Sequence, residues 1–214
     1  MITPAERTCQ ELKKFGIDNA EDYLCGFNNV LKKVCVISDT FETGNVLGMN
    51  YGINAVIGLL RESFLSKKKI IIVGNGGSAA IALHTLADYA AAGGLRTMDL
   101  MSPALITCMA NDYGYENVFA KHIEVFAEKD DILFAISSSG KSPNILKACK
   151  AAKFRRCLIV TFSGFDSENS LRELGNINFY VPSSHYGFVE LAHQILLHCI
   201  LDLYLKKGGL EDAL

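Results

Sequence analysis

His84 and Asp88 stand four residues apart, just after a loop almost free of side chains, Gly74-Asn75-Gly76-Gly77-Ser78. If 78–92 is a helix, the two side chains share one face. Imidazole exchanges protons near neutral pH and a carboxylate serves as base or metal ligand, so the pair suits proton transfer. Glu190, His193 and His198 lie in a second, nearly all-apolar stretch at 187–206, where ionisable groups are costly unless paired or working. A backbone carbonyl would satisfy any one of these histidines. Two histidines and two carboxylates taken together also make a donor set for zinc or a similar metal.

The loops are the second chemical feature. Three apolar runs end in small or hydroxylated residues: Gly74 to Ser78, then Ser137-Ser138-Ser139-Gly140-Lys141-Ser142, then Thr161-Phe162-Ser163-Gly164. Glycine lets backbone N–H groups approach a ligand, hydroxyls donate without adding charge, and a following helix supplies a positive dipole end. A phosphate group is the expected guest. GNGGSA lacks the third glycine of a dinucleotide fingerprint. AISSSGKS at 135–142 matches a relaxed nucleotide phosphate loop, but no later strand ends in the aspartate that would help hold Mg²⁺.

The elements that position these residues follow from periodicity. From Ile70 onward, short β-branched or apolar runs at 70–73, 95–100, 131–136, 157–162 and 177–181 alternate with helix-length segments. Unbroken apolar runs belong to strands covered on both faces, which predicts a parallel sheet in a three-layer α/β/α sandwich. The first 65 residues read as a helical arm of two or three helices. One is capped by Thr3-Pro4 with Glu6 in its first turn, and another runs over 46–65. The expected division is an arm over 1–65 and a domain over 66–214.

Composition narrows the function classes. With 21 Lys and Arg against 23 Asp and Glu, the chain has no electrostatic footprint for nucleic acid. The basic runs 67–69 and 153–156 each precede an expected strand and read as solvated ends. No apolar run is expected to span a bilayer, which takes about 20 residues. The opening residues lack a secretory layout, so the cytoplasm is the expected compartment. Seven scattered cysteines without CxxC spacing read as reduced thiols.

GNGGSAA with His84 following, ANDYGYENVF at 110–119, ISSSGKSPN at 136–144, VPSS at 181–184 and the last helix bearing His198 together resemble the sugar isomerase (SIS) domain family, most of all its phosphoheptose isomerases. The resemblance implies a five-stranded parallel flavodoxin-like sheet and a homotetramer with active sites between subunits. It places phosphate binding on Asn75, Ser78, Ser137, Ser139 and Ser142. Metal and catalytic positions fall on His84, Asp88, Glu190 and His198, often with zinc. The implied reaction interconverts sedoheptulose 7-phosphate and a heptose 7-phosphate through an enediol, with Asp88 as base and His198 as acid. Where those enzymes carry Glu and Gln, this chain has Asp88 and Glu190, and Ile81 and Leu83 replace their usual Asp and Gln. A rival implication is a non-catalytic regulator that binds sugar phosphate or a protein partner. Eight residues of helix span about 12 Å, which separates Glu190 from His198. His185 is a further candidate ligand.

Overall fold

The computed structural model describes residues 3–38 and 48–208. In chain order its elements are α1 (Pro4–Lys14), α2 (Ala20–Leu31), β1 (Cys35–Ser38), α3 (Met49–Leu65), β2 (Lys69–Val73), α4 (Gly77–Ala91), β3 (Arg96–Met98), α5 (Pro103–Tyr113), α6 (Ala120–Phe126), β4 (Ile132–Ser137), α7 (Pro143–Phe154), β5 (Leu158–Ser163), β6 (Ile177–Tyr180) and α8 (Tyr186–Lys206). Short 3₁₀ turns occupy Tyr115–Asn117 and Ser170–Glu173.

The sheet has six strands in the order β1-β6-β5-β4-β2-β3. Strands β2 to β6 are all parallel, and counted among themselves they follow the flavodoxin order, in which the chain reverses direction between β2 and β4. The sixth strand corrects the five-strand expectation: β1 joins antiparallel to β6, pairing Cys35 with Tyr180. A four-residue CVIS segment offers too little alternation to stand out, and its edge position is what makes it a strand. The segment read as helices alone therefore contributes to the sheet. Of the helix expected over 46–65, residues 46 and 47 lie outside the described residues, and α3 covers the rest from Met49.

Strand residues alternate between two cores. Ile70, Ile72, Phe134, Phe162 and Phe179 pack with Leu60 of α3, Leu86 of α4 and Phe188 of α8. Ile71, Val73, Leu133 and Ile159 pack on the other face with Ile123 of α6 and Ile145 of α7. Both faces of the sheet are covered, hence the unbroken apolar runs.

The amino ends of β2 and β4 are tied by Asp131, whose side chain is fully buried. Its carboxylate accepts from the Lys69 and Glu128 amides, both at 2.8 Å, and pairs with Lys69 Nζ at 3.0 Å. One lysine of the first basic run is thus a structural tie.

Helix α8 corrects the membrane expectation in one respect. Its 21 residues are long and apolar enough to cross a bilayer by length and composition. Here Phe188, Ala192, Leu196, Leu197, Ile200 and Tyr204 of α8 are buried in the core.

Candidate active site

The carboxyl ends of β2 and β4 open into a cavity of about 230 Å³ lined by Asn75, Gly76, Gly77, Ser78, Ile136, Ser137, Ser138, Ser139, Ser142, Tyr186 and Glu190. It sits where the sheet order reverses, the place a doubly wound fold offers a ligand. All five residues named for phosphate, Asn75, Ser78, Ser137, Ser139 and Ser142, line it.

Local sequence explains the shape. Gly76 caps α4 with φ 54°, in the left-handed region where a side chain is strained. Gly77 follows, and a Cβ there would lie 2.5 Å from Glu190 Oε1. Glycine therefore admits both a tight turn and the close approach of α8. The first turns of α4 and α8 and the N-cap of α7, Ser142, all border the cavity, so the positive ends of three helices lie beside it. Among the described residues no Lys or Arg lines it. Lys141 instead pairs with Asp166 at 2.7 Å, and this contact holds the Asp166 carboxyl below its usual range.

Ser137 Oγ donates to Ser142 Oγ at 3.3 Å, and Ser139 Oγ accepts from the Lys141 amide at 3.3 Å. Ser138 Oγ is buried without a protein partner, a polar atom that a ligand on the cavity floor would satisfy. Ser138 and Tyr186 are cavity residues beyond the resemblance positions; the serine run was a visible signal for the first, and nothing in the sequence marked the second. The third loop differs: Thr161 and Ser163 are fully buried, and Asn178 Nδ2 donates to both hydroxyls, at 2.8 and 3.3 Å. Their oxygens belong to the sheet interior rather than to the cavity.

Helices α4 and α8 pack side by side and run the same way, since Gly77 meets Glu190 at one end and His84 meets His198 further along. His84 Nε2 lies 3.0 Å from His198 Nε2 and 3.2 Å from Asp88 Oδ2, and His198 Nε2 lies 3.7 Å from the same oxygen. Ligand atoms around a tetrahedral ion with imidazole bonds of about 2.0–2.1 Å stand about 3.3 Å apart, so these three donors fit such an ion and leave a fourth position open. The residues present thus match a catalytic metal centre in number and type.

Glu190 stands elsewhere. Its carboxylate faces Gly77 in the cavity, and partial burial raises its pKa. His193 is fully buried with Nε2 3.2 Å from the Ser163 carbonyl, and burial pushes its pKa down to about 4. His185, also buried, caps α8 by accepting from the Phe188 amide at 3.1 Å. Neither joins the His84 cluster. The buried thiols of Cys149 and Cys157 are pushed up to about 12 and about 11, which leaves them unreactive.

Residues 48–164 match the family model described as the SIS domain. The chain belongs to the SIS domain family. A phosphoheptose isomerase of Helicobacter pylori (strain ATCC 700392 / 26695) is 32% identical to this SIS protein over 181 residues, covering 82% of this chain and 94% of its own. One from Crocosphaera subtropica is 34% identical, covering 72% of this chain and 84% of its own. The solved phosphoheptose isomerase of Francisella tularensis superposes with a TM-score of 0.72 at 26% identity, over 86% of this chain and 95% of that one. That of Neisseria gonorrhoeae has the same TM-score at 23% identity, a likeness of fold.

Proposed function

We propose that this SIS protein is a cytoplasmic aldose–ketose isomerase of the phosphoheptose isomerase type, interconverting sedoheptulose 7-phosphate and a heptose 7-phosphate. One observation carries the reading: α4 leads from a cradle of hydroxyls and backbone N–H groups at Ser78 to a proton-transfer cluster at His84 and Asp88. Six residues of helix between Ser78 and His84 rise about 9 Å, a span suited to a linear sugar held by its terminal phosphate.

In the ketose-to-aldose direction, Asp88 removes a proton from C1 while His198 gives one to the C2 carbonyl oxygen, forming the enediol. Return of the proton to C2 and loss of the O1 proton complete the aldose. The cradle holds the phosphate through Ser78, Ser137, Ser139, Ser142 and the Asn75 loop, and fixed geometry lowers the barrier by orientation. Zinc, when bound, would be held by His84, Asp88 and His198 and would supply Lewis-acid polarisation of the carbonyl in place of the His198 proton.

The assembly is read as a homotetramer with sites between subunits. In support, Leu83, Leu191 and Ile195 are 45%, 46% and 41% exposed beside the histidine cluster, an apolar rim that a second copy would cover.

The test is deuterium uptake from D₂O into sedoheptulose 7-phosphate and other ketose and aldose phosphates, read by mass spectrometry with and without zinc. Uptake that vanishes in Asp88→Asn is the expected result. Saturable binding with no uptake into any of these sugars would overturn the enzymatic reading.

A further inference from the structure

A second cavity, of about 410 Å³, lies next to the cradle and is lined by Asn75, Tyr115, Glu116, Ser142, Pro143 and Asn144. Asn75 and Ser142 belong to both linings. In the shared wall, Asn75 and Asn144 exchange two hydrogen bonds: Asn75 Nδ2 donates to Asn144 Oδ1 at 2.9 Å, and Asn144 Nδ2 donates to Asn75 Oδ1 at 2.8 Å. The orientation is forced by chemistry. The Ile145 amide, which can only donate, lies 3.0 Å from Asn144 Oδ1, so that atom is oxygen and the rest of the pair follows. The Tyr115 hydroxyl then donates to Asn75 Oδ1 at 3.0 Å.

Counting valences defines what Asn75 has left. Both lone pairs of its Oδ1 and one Nδ2 hydrogen are committed, so one Nδ2 hydrogen and the main chain remain for a ligand. Asn144 is 2% exposed, and a hydrogen bond shielded from water is electrostatically stronger and holds its geometry better. Asn75 belongs to the loop after β2, and Asn144 opens α7 after the serine loop of β4. The amide pair therefore joins the two halves of the cradle. Tyr115 is carried by the 3₁₀ turn 115–117, which is itself anchored to α7: Lys147 Nζ donates to Asn117 Oδ1 at 3.0 Å and lies 3.5 Å from Glu116.

We infer that Asn144 and Tyr115 are positioning residues of the phosphate cradle, which act by orienting Asn75 and do not touch the substrate. The inference rests on the phosphate reading of the cavity. It gives a use to two residues with no other role here, Asn144, which closes ISSSGKSPN, and Tyr115, the second tyrosine of ANDYGYENVF. It also assigns Asn75 as much to joining the loops as to binding the anion.

The test combines kinetics with amide hydrogen exchange. Tyr115→Phe removes one hydroxyl from an exposed side chain and leaves the fold intact. It is expected to raise KM for sedoheptulose 7-phosphate about 2- to 10-fold with kcat unchanged, the range one hydrogen bond confers. Asn144→Asp keeps the acceptor for the Ile145 amide but sets a carboxylate oxygen against Asn75 Oδ1, and should raise KM about 10- to 100-fold. In an Asn75→Ala background, Tyr115→Phe should add nothing, whereas a merely structural tyrosine would cost the same as before. Amides of residues 74–78 should exchange faster in both single variants, with the strand amides unchanged. Unchanged exchange in Tyr115→Phe, or an undiminished KM effect in the Asn75→Ala background, would overturn the inference. A wild-type protein that neither binds nor turns over the sugar phosphate would overturn the functional reading alone, since the exchange rates still decide whether the loops are held this way.

Discussion

The proposed phosphate cradle and the histidine cluster are built on opposite plans. The cradle sits at strand ends and is built mainly of backbone, hydroxyl and amide groups, with the Glu190 carboxylate at its wall; Ser78, Ser137 and Ser138 are 4–5% exposed. The cluster lies on helix faces, and the side chains of His84, Asp88 and His198 are 52%, 33% and 42% exposed. Anion binding, as proposed for the cradle, wants fixed dipoles in a shielded place. Proton transfer at a half-open cluster wants exclusion of water, which the apolar rim of Leu83, Leu191 and Ile195 leaves to a covering surface. The difference teaches that affinity and turnover should be separable by mutation.

The largest effect should come from the cluster. In Asp88→Asn, kcat should fall about 10²- to 10⁴-fold, as for loss of a general base, while calorimetric affinity for the sugar phosphate holds. Equal loss of affinity would erase the distinction between the two regions. In the cradle, Ser139→Ala should do the reverse: Kd rises about 10- to 100-fold, the worth of a hydrogen bond to a charged group, and saturated turnover survives. Ile195→Asp should shift sedimentation toward smaller species and lower turnover without changing phosphate affinity per chain.

Two weaker effects sharpen the comparison. Glu190 brings a negative charge into the cradle, so Glu190→Gln should tighten inorganic phosphate binding at pH 7 about 5-fold, matching roughly 1 kcal/mol of repulsion. The gain should shrink as pH falls toward the raised range of the native carboxyl. His193 carries a fold signal only. Its pKa drops from 6.5 to about 4 in the folded state, so the unfolded chain takes up the proton first as pH falls. Stability is then full above pH 6.5 and is lost progressively as pH falls toward about 4. His193→Gln should flatten the thermal midpoint over that window, with kcat unaffected.

Much of this was legible in sequence because it is local. Four of the five parallel strands announce themselves as buried apolar runs, β3 being short and partly exposed, and a single loop motif places Asn75 and Ser78 at the cavity. Glu190, grouped with His198 as a metal position, stands apart from it by helical rise and faces Gly77 in the cavity instead. What escaped depends on long-range meeting. Strand β1 is defined by its pairing with β6, Tyr186 by where α8 begins, and the Asn75–Asn144 pair by two residues 69 positions apart. Two asparagines look the same in sequence whether they face water or each other.

The strands that frame the cavity, β2 and β4, are tied at both ends: by Asp131 and Lys69 at their amino ends, and by the amide pair just beyond their carboxyl ends. A ladder braced at top and bottom keeps its width whatever is hung between the rungs. Side chains in the two loops can therefore be exchanged one at a time without changing the spacing they are set upon. The same frame could be re-fitted to other phosphorylated guests by replacing loop residues alone.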